Sequence, residues 1–488
     1  MGALPERPGV PIIHSTPVYE ANTLFTSAGE QPPARHGSAV FVDKGVLDMI
    51  RTTRTRRFTA SVAGVSVLAL GLAACSDDSS TDGDNTADGQ VTLTVSTFNN
   101  FGYTDELLKE YMDANPNVKI EHNVAAKSDD ARLNLTTKMA AGGTGLADIE
   151  AIEIDWMPEL EIVKDSFADL DGVEGIDGRW LDWKEAQGRT TDGKLIGYGT
   201  DIGPQAICYR ADLFEAAGLD SSREAVAEMI GGEGTTWDSY FAAGEEFAKN
   251  SEVPWFDSAG AIWQGMIAQI AEPYENASDG TPKDLAANTE IKTAYDAVLA
   301  ASEDLSAGLE QWSGDWDAAF QNDGFATMLC PAWMTGAIEE RAGGVEGWDV
   351  ADVFPGGGAN WGGSFLTVPA AGENVEEAKK LAAWLTSPET QVKAFGNSGA
   401  FPSQVEVLSS PEILAATNEF MSGAPVGEIF SNRAQSIDPA TLPYKGANYF
   451  KINSAVSDAL KRVDVEKTDD AAASWDKAVN AFNELGIM

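Results

Sequence analysis

The chain has 488 residues, too long for one ordinary domain. Hydrophobic residues make up 43% and charged residues 22%, so a large packed body can form and wholesale disorder is excluded. Lys and Arg number 33 against 76 Asp and Glu, a net charge of −43 that excludes nucleic acid as a partner, and three Cys exclude a disulfide scaffold or a Cys-rich zinc protein.

Residues 1–48 are Pro-rich and carry no periodicity, so they are expected to be an unstructured leader or to lie upstream of the true start. Residues 49–75 have the parts of a secretory signal. Met49 is followed by Arg51, Arg54, Arg56 and Arg57, then by an uncharged apolar run from about Ala60 to Leu72, then by Leu72-Ala73-Ala74-Cys75. The run is too short to span a membrane as a permanent helix. Its last four residues resemble a bacterial lipobox, which implies lipidation of Cys75 as the new N-terminus; the alternative is a plain signal peptide with an incidental Cys. From Cys75 onward 26 basic residues face 71 acidic ones, a net of −45, and His122 is the single histidine. Residues 76–90 contain almost nothing apolar and read as a flexible tether.

The body begins with Val91, Leu93 and Val95 alternating with Thr, a strand over 91–97. Asp105 and Glu106 open a helix with Leu107, Leu108, Tyr111 and Met112 on one face, stopped at Asn115-Pro116. A strand at 118–124, a helix at 129–141 and a strand at 148–154 follow. This alternation predicts βαβ units and a largely parallel sheet. Later come a strand at Ala206–Arg210, a helix stopped by Gly218, a helix capped by Thr236, a strand at Phe325–Leu329, a helix opened by Ser387-Pro388 and a last helix with Trp475, Ala478, Val479 and Phe482 buried.

Much chemistry is missing. No GxSxG, HExxH or CxxC occurs after Cys75, and one histidine supports neither a Ser-His-Asp set nor a His-based metal site. Gly188–Lys194 matches the first seven positions of a phosphate-binding loop. Leu195 stands where Ser or Thr should hold magnesium, so Asp192-Gly193 reads as a hairpin turn before a strand at 194–199. No cofactor is expected.

All 13 Trp lie after Cys75. A flat aromatic covers the apolar C–H face of a sugar ring, while carboxylates and amides take its hydroxyls; in most proteins a Trp serves the core instead. Trp237, Trp384 and Trp475 fall on helical stripes and read as core. Trp156, Trp263, Trp333 and Trp361 sit near strand ends or Gly-rich turns, where open α/β sheets bind ligands.

Cys208-Tyr-Arg-Ala-Asp-Leu-Phe-Glu-Ala-Ala-Gly-Leu-Asp220, followed by Thr236-Trp-Asp-Ser-Tyr-Phe, resembles the extracellular solute-binding proteins of ABC importers, carbohydrate group. Gln321–Trp333, Gly362-Gly363 before a strand, Glu376–Ser387 and Phe401-Pro402-Ser403 follow that family's order, and the resemblance covers about residues 91–488. It implies an α/β, two-lobed periplasmic-binding-protein-like fold of type II with the ligand cleft between the lobes. Lobe 1 would be 91–200 plus 364–403, and lobe 2 would be 205–360 plus 408–488. Crossings would fall at Gly199–Gly203, Gly362–Ser364 and Pro402–Val405. The ligand residues it implies are Asn99, Phe101, Asp155, Trp156, Asp201, Trp263, Trp333, Trp361 and Tyr449, with Asp155 on sugar hydroxyls and Trp333 stacking.

The function so implied is capture of a sugar, an oligosaccharide, and delivery to ABC permease subunits. The protein would be a monomer held by lipid at the outer face of the cell membrane, not an enzyme. Two other readings stand: the same fold binding a polyamine or other non-sugar solute, for which the clustered acids speak, or a secreted glycosidase with two inward carboxylates. Cys208 and Cys330 both fall on strands of the second lobe and are expected as two buried small residues, with a disulfide as the alternative.

Overall fold

The computed structural model describes residues 90–488; the leader, the signal segment with Cys75 and the tether up to residue 89 lie outside the described residues. Strand β1 (Val91–Phe98) buries Leu93 and Val95 completely and leaves Thr92 exposed, as its alternation requires. The next helix, Asp105–Ala114, starts where the Thr104 side chain accepts from the Leu107 N–H. Asp105 and Glu106 lie in its first turn, where the helix dipole favours them. Strand β2 (Val118–Ala125) pairs parallel with β1, and after the helix Ser128–Ala140 strand β3 (Ile149–Glu153) pairs parallel with β1 on its other side.

Parallel pairing ends there. The first sheet has the order β2-β1-β3-β8-β4, with β8 (Ser364–Thr367) antiparallel to both β3 and β4 (Tyr198–Gly199). A second sheet, β6-β5-β7, joins β5 (Gln205–Arg210), β6 (Thr327–Pro331) and β7 (Trp348–Ala351), and both of its pairs are antiparallel. The parallel arrangement expected from the alternation therefore holds only for β1–β3. Between β5 and β6 the chain runs through a layer of helices from Ala211 to Ala319, long enough to return from either end of the sheet. Strand β6 also starts two residues later than the apolar run indicates, because Phe325 is a core side chain ahead of the ladder.

The chain passes between the sheets in three segments that hydrogen-bond to one another. It leaves β4 for β5 through Thr200–Pro204, returns from β7 to β8 through the stretch ending at Gly363, and leaves the helix Pro388–Ser398 through Phe401–Gln404. Ile202 N–H donates to the Phe401 carbonyl at 2.8 Å, Thr200 N–H to Ser364 at 3.0 Å and Trp361 N–H to Gly203 at 2.8 Å. Gly203 is required: a Cβ there would collide with the Trp361 carbonyl oxygen.

Cys208 and Cys330 are bonded as a disulfide with Cα atoms 5.4 Å apart, which corrects the expectation of two separate buried residues. The register explains it. Ala206 faces Cys330 and Cys208 faces Met328, so the two cysteines are diagonal neighbours on one face of the β5–β6 pair. The phosphate-loop lookalike is a turn: Gly193 N–H donates to the Thr190 carbonyl at 2.9 Å, and Lys194 Nζ is spent on the Phe167 carbonyl at 2.6 Å. Only Tyr198–Gly199 of the strand expected at 194–199 joins the sheet.

Candidate functional site

A cavity of about 880 Å³ lies beside the crossing segments. One wall comes from residues 154–162 after β3 and 182–191 before β4; the other comes from 264–268 and 439–453; Asn360, Trp361 and Gly362 form the back. Elements packed on both sheets thus enclose it, as binding at strand ends requires.

Asp155 sits in the 3-10 turn Ile154–Trp156 at the end of β3, half-buried and in the wall. Its Oδ1 accepts from Lys445 Nζ at 2.5 Å, a contact that spans the cavity from one wall to the other. Lys445 also lies over the rings of Tyr449, at 5.4 Å, and Phe450, at 5.6 Å. Burial would push the Lys445 ammonium down, but Asp155, with Tyr449 and Glu153 beyond it, more than offsets this and holds it above the ordinary lysine range. Glu153, at the end of β3, is pushed up to about 7 by burial and by the nearby Asp155 and Asp201 charges. Tyr449 is buried, lines the cavity, and is pushed up to about 12 by burial.

The residues implied by resemblance fall into three groups. Asp155, Trp361 and Tyr449 line the cavity. Trp333 stands one layer behind: its indole N–H donates to the Trp361 carbonyl at 3.1 Å and its ring meets Trp361 edge-on at 5.3 Å. The others do not line the cavity. Trp156 is buried against Phe98 at 5.2 Å, because the 3-10 turn that exposes Asp155 turns its neighbour into the core. Phe101 packs edge-on against Phe98 at 5.1 Å and Asn99 is exposed at the end of β1, and neither lines the cavity. Asp201 ties the crossings together, its Oδ1 accepting from Thr200 Oγ1 and the Ser364 N–H, each at 2.9 Å.

Trp263 is wholly buried and does not reach the cavity, yet it acts on it. Its N–H donates to Asn453 Oδ1 at 3.1 Å and Tyr274 Oη donates to the same oxygen at 2.8 Å. Asn453 lines the cavity, and with its oxygen saturated its amide N–H groups are the donors left over. Asn453 and Lys445 escaped sequence reading. The helical spacing of Asn453 with Tyr449 was the available signal.

The sequence profile of the bacterial extracellular solute-binding proteins matches residues 106–421. The chain belongs to this family. A solved extracellular solute-binding protein of family 1 is 46% identical over 81% of this chain and 99% of its own, with a TM-score of 0.76. The sugar-binding protein MalE from the phytopathogen Xanthomonas citri is 17% identical, covers 81% of this chain and 97% of its own, and has a TM-score of 0.64. The ABC transporter associated binding protein from B. animalis subsp. lactis, solved with β-1,6-galactobiose, is 18% identical over 81% and 97%, with a TM-score of 0.60. A search of curated proteins finds no match. The solute-binding protein therefore has the α/β, two-sheet architecture with a cleft that its resemblance implied.

Proposed function

We propose that this solute-binding protein captures a sugar, an oligosaccharide, in the cavity beside Trp361 and delivers it to ABC permease subunits. The two jaws would be residues 91–200 with 364–403 and 205–360 with 408–488, moving about the three crossings. Positive φ at Gly362 and Gly363, +81° and +106°, suits a segment whose torsions change on closure. The observation that carries the reading is the composition of the wall: Trp361 and Tyr449 offer aromatic surface, and Asn453 and Asp155 offer the polar groups that hydroxyls need. A sugar would stack on Trp361, exchange hydrogen bonds with Asn453 and Asp155, and favour the closed form by contacts made only there. Trp333 supports Trp361 from behind.

A polyamine is less well served. Asp155 is engaged by Lys445 and Glu161 by Lys164 at 2.9 Å, which leaves Asp182 as the wall's one carboxylate without an ion pair among the described residues, too few for a dication. The chemistry expected is binding, with no catalytic residue. The test is a thermal-shift screen of the purified protein against saccharides, spermidine and putrescine. A rise with saccharides supports the reading; a rise with amines alone sinks it.

Anchoring follows from the Leu-Ala-Ala-Cys75 order at the end of the signal segment. No helix among the described residues is long and apolar enough to cross a membrane. Cys75→Ala should move the protein from the membrane fraction to the medium or leave it uncleaved. Unchanged fractionation with unchanged mature mass would refute lipidation.

A further inference from the structure

Two of the exposed large apolar side chains among the described residues line the cavity, one from each wall. Ile162, in the 3-10 turn Glu161–Ser166, is 76% exposed, and Phe450, in the first turn of the helix Tyr449–Asp464, is 38% exposed. Single exposed apolar residues are ordinary on a protein surface; two that border one cavity from its two walls form a patch. Met157 and Leu442 extend it. Each is half-buried, lines the same cavity and packs against a separate apolar cluster. Phe450 is also held in place: its ring meets Tyr449 edge-on at 5.1 Å, and Lys445 Nζ lies 5.6 Å from its centroid.

A plain sugar ring has two C–H faces and a rim of hydroxyls. Trp361 and Tyr449 supply planes for the faces, and Asn453 and Asp155 take hydroxyls. The side chains of Ile162, Met157 and Leu442 supply neither a plane nor a hydrogen bond. A hydroxyl pressed against them gives up water and gains no partner, which weakens binding. An apolar group placed there is instead taken out of water, which strengthens binding. The cavity of about 880 Å³ lies toward the upper end of the roughly 300–1,000 Å³ of pockets that enclose a drug-sized molecule, so it has room for a saccharide and a group attached to it.

We propose that Met157, Ile162, Leu442 and Phe450 receive an apolar substituent of the captured saccharide, an aryl or acyl group, and make the protein select substituted sugars over plain ones. The proposal rests on the sugar reading of the cavity and names the class of sugar. Because the four side chains come from both walls, the substituent is gripped when the jaws close, and its burial adds to the contacts that favour the closed form.

The test is calorimetric titration of the intact protein with matched pairs. For the aryl arm, maltose, cellobiose and lactose are each compared with their p-nitrophenyl glycosides. For the acyl arm, cellobiose is compared with N,N′-diacetylchitobiose, which keeps the linkage and replaces one hydroxyl on each ring by an acetamido group. In at least one pair the substituted member should bind about tenfold more tightly, and the arm in which this occurs identifies the group. Ile162→Ser and Phe450→Ser, both at exposed positions, should melt as the wild type does and lose most of that advantage, read as the ratio of the two affinities. Ile162→Leu, which keeps the apolar surface, should keep the ratio. Two results would overturn the substituent site while leaving the sugar reading intact. One is that plain members bind at least as tightly as substituted ones in every pair. The other is an advantage whose ratio is unchanged in both Ser variants, as expected if the two side chains only meet each other on closure. Failure of the wild type to bind any member, plain or substituted, would instead strike the sugar reading, and the substituent site with it.

Discussion

Lys184 is the residue whose environment most departs from its chemistry. It is wholly buried, its Nζ has no hydrogen-bond partner among the described residues, and it lies 3.6 Å from the centroid of the Phe365 ring. Burial pushes it down to about 7, against the opposing pull of Asp201 and Glu153. Below pH 7 the amine is charged in both folded and unfolded chains, so the burial cost is fully present. Between pH 7 and the unfolded value of 10.5 the unfolded chain holds the extra proton, so this group's contribution to stability rises with pH, at ~1.4 kcal/mol per unit at most. Lys184→Met should therefore melt higher than wild type at pH 7, and the gap should narrow towards pH 10. A constant gap across that range would show that Lys184 keeps its proton in the folded protein throughout, charged and paired.

Single residues also show where sequence reading stopped. Asp155 and Trp361, singled out at a strand end and a turn, line the cavity. Trp156 and Trp263, singled out by the same rule, are buried and do not line the cavity, because nearness to a strand end does not fix the direction of a side chain. In a 3-10 turn adjacent residues diverge, so Asp155 and Trp156 part company. Trp263 lies on a helix, Ala259–Ile267, of which every residue but Gly260 and Gln264 is buried. No periodicity marks a cavity-facing stripe on such a helix.

At the scale of elements, capping and alternation made the first third of the body legible: β1 to β3 and their helices lie within a residue or two of their expected bounds. Strand direction was not legible, since a long helical connection permits either sense. The disulfide belongs to this scale too. It needs β5 and β6 adjacent in a register that sets Cys208 and Cys330 diagonally, which neither strand alone reveals. It closes a loop of 122 residues, for which chain entropy gives about 5 kcal/mol. Thiol titration of the denatured, unreduced protein should find no Cys208 or Cys330 thiol. The Cys208→Ala/Cys330→Ala variant should unfold at distinctly lower denaturant. Free thiols at both positions in protein secreted by its own host would contradict the bond.

Over the whole molecule, three crossing segments laced by hydrogen bonds hold two sheets, and the cavity opens beside them. The Asp155–Lys445 pair already reaches across it, so a bound solute must fit within that bridge or replace it. The proposed function seats a saccharide there, against Trp361. Calorimetric titration of the wild type and of Trp361→Ala with the best saccharide from the screen tests it most directly, with melting curves beside both. The prediction is a single saturable site in the wild type and a loss of roughly 1–3 kcal/mol in the variant, about 5- to 150-fold in affinity, with little change in melting temperature. Wild-type affinity in a well-folded Trp361→Ala protein would contradict the claim.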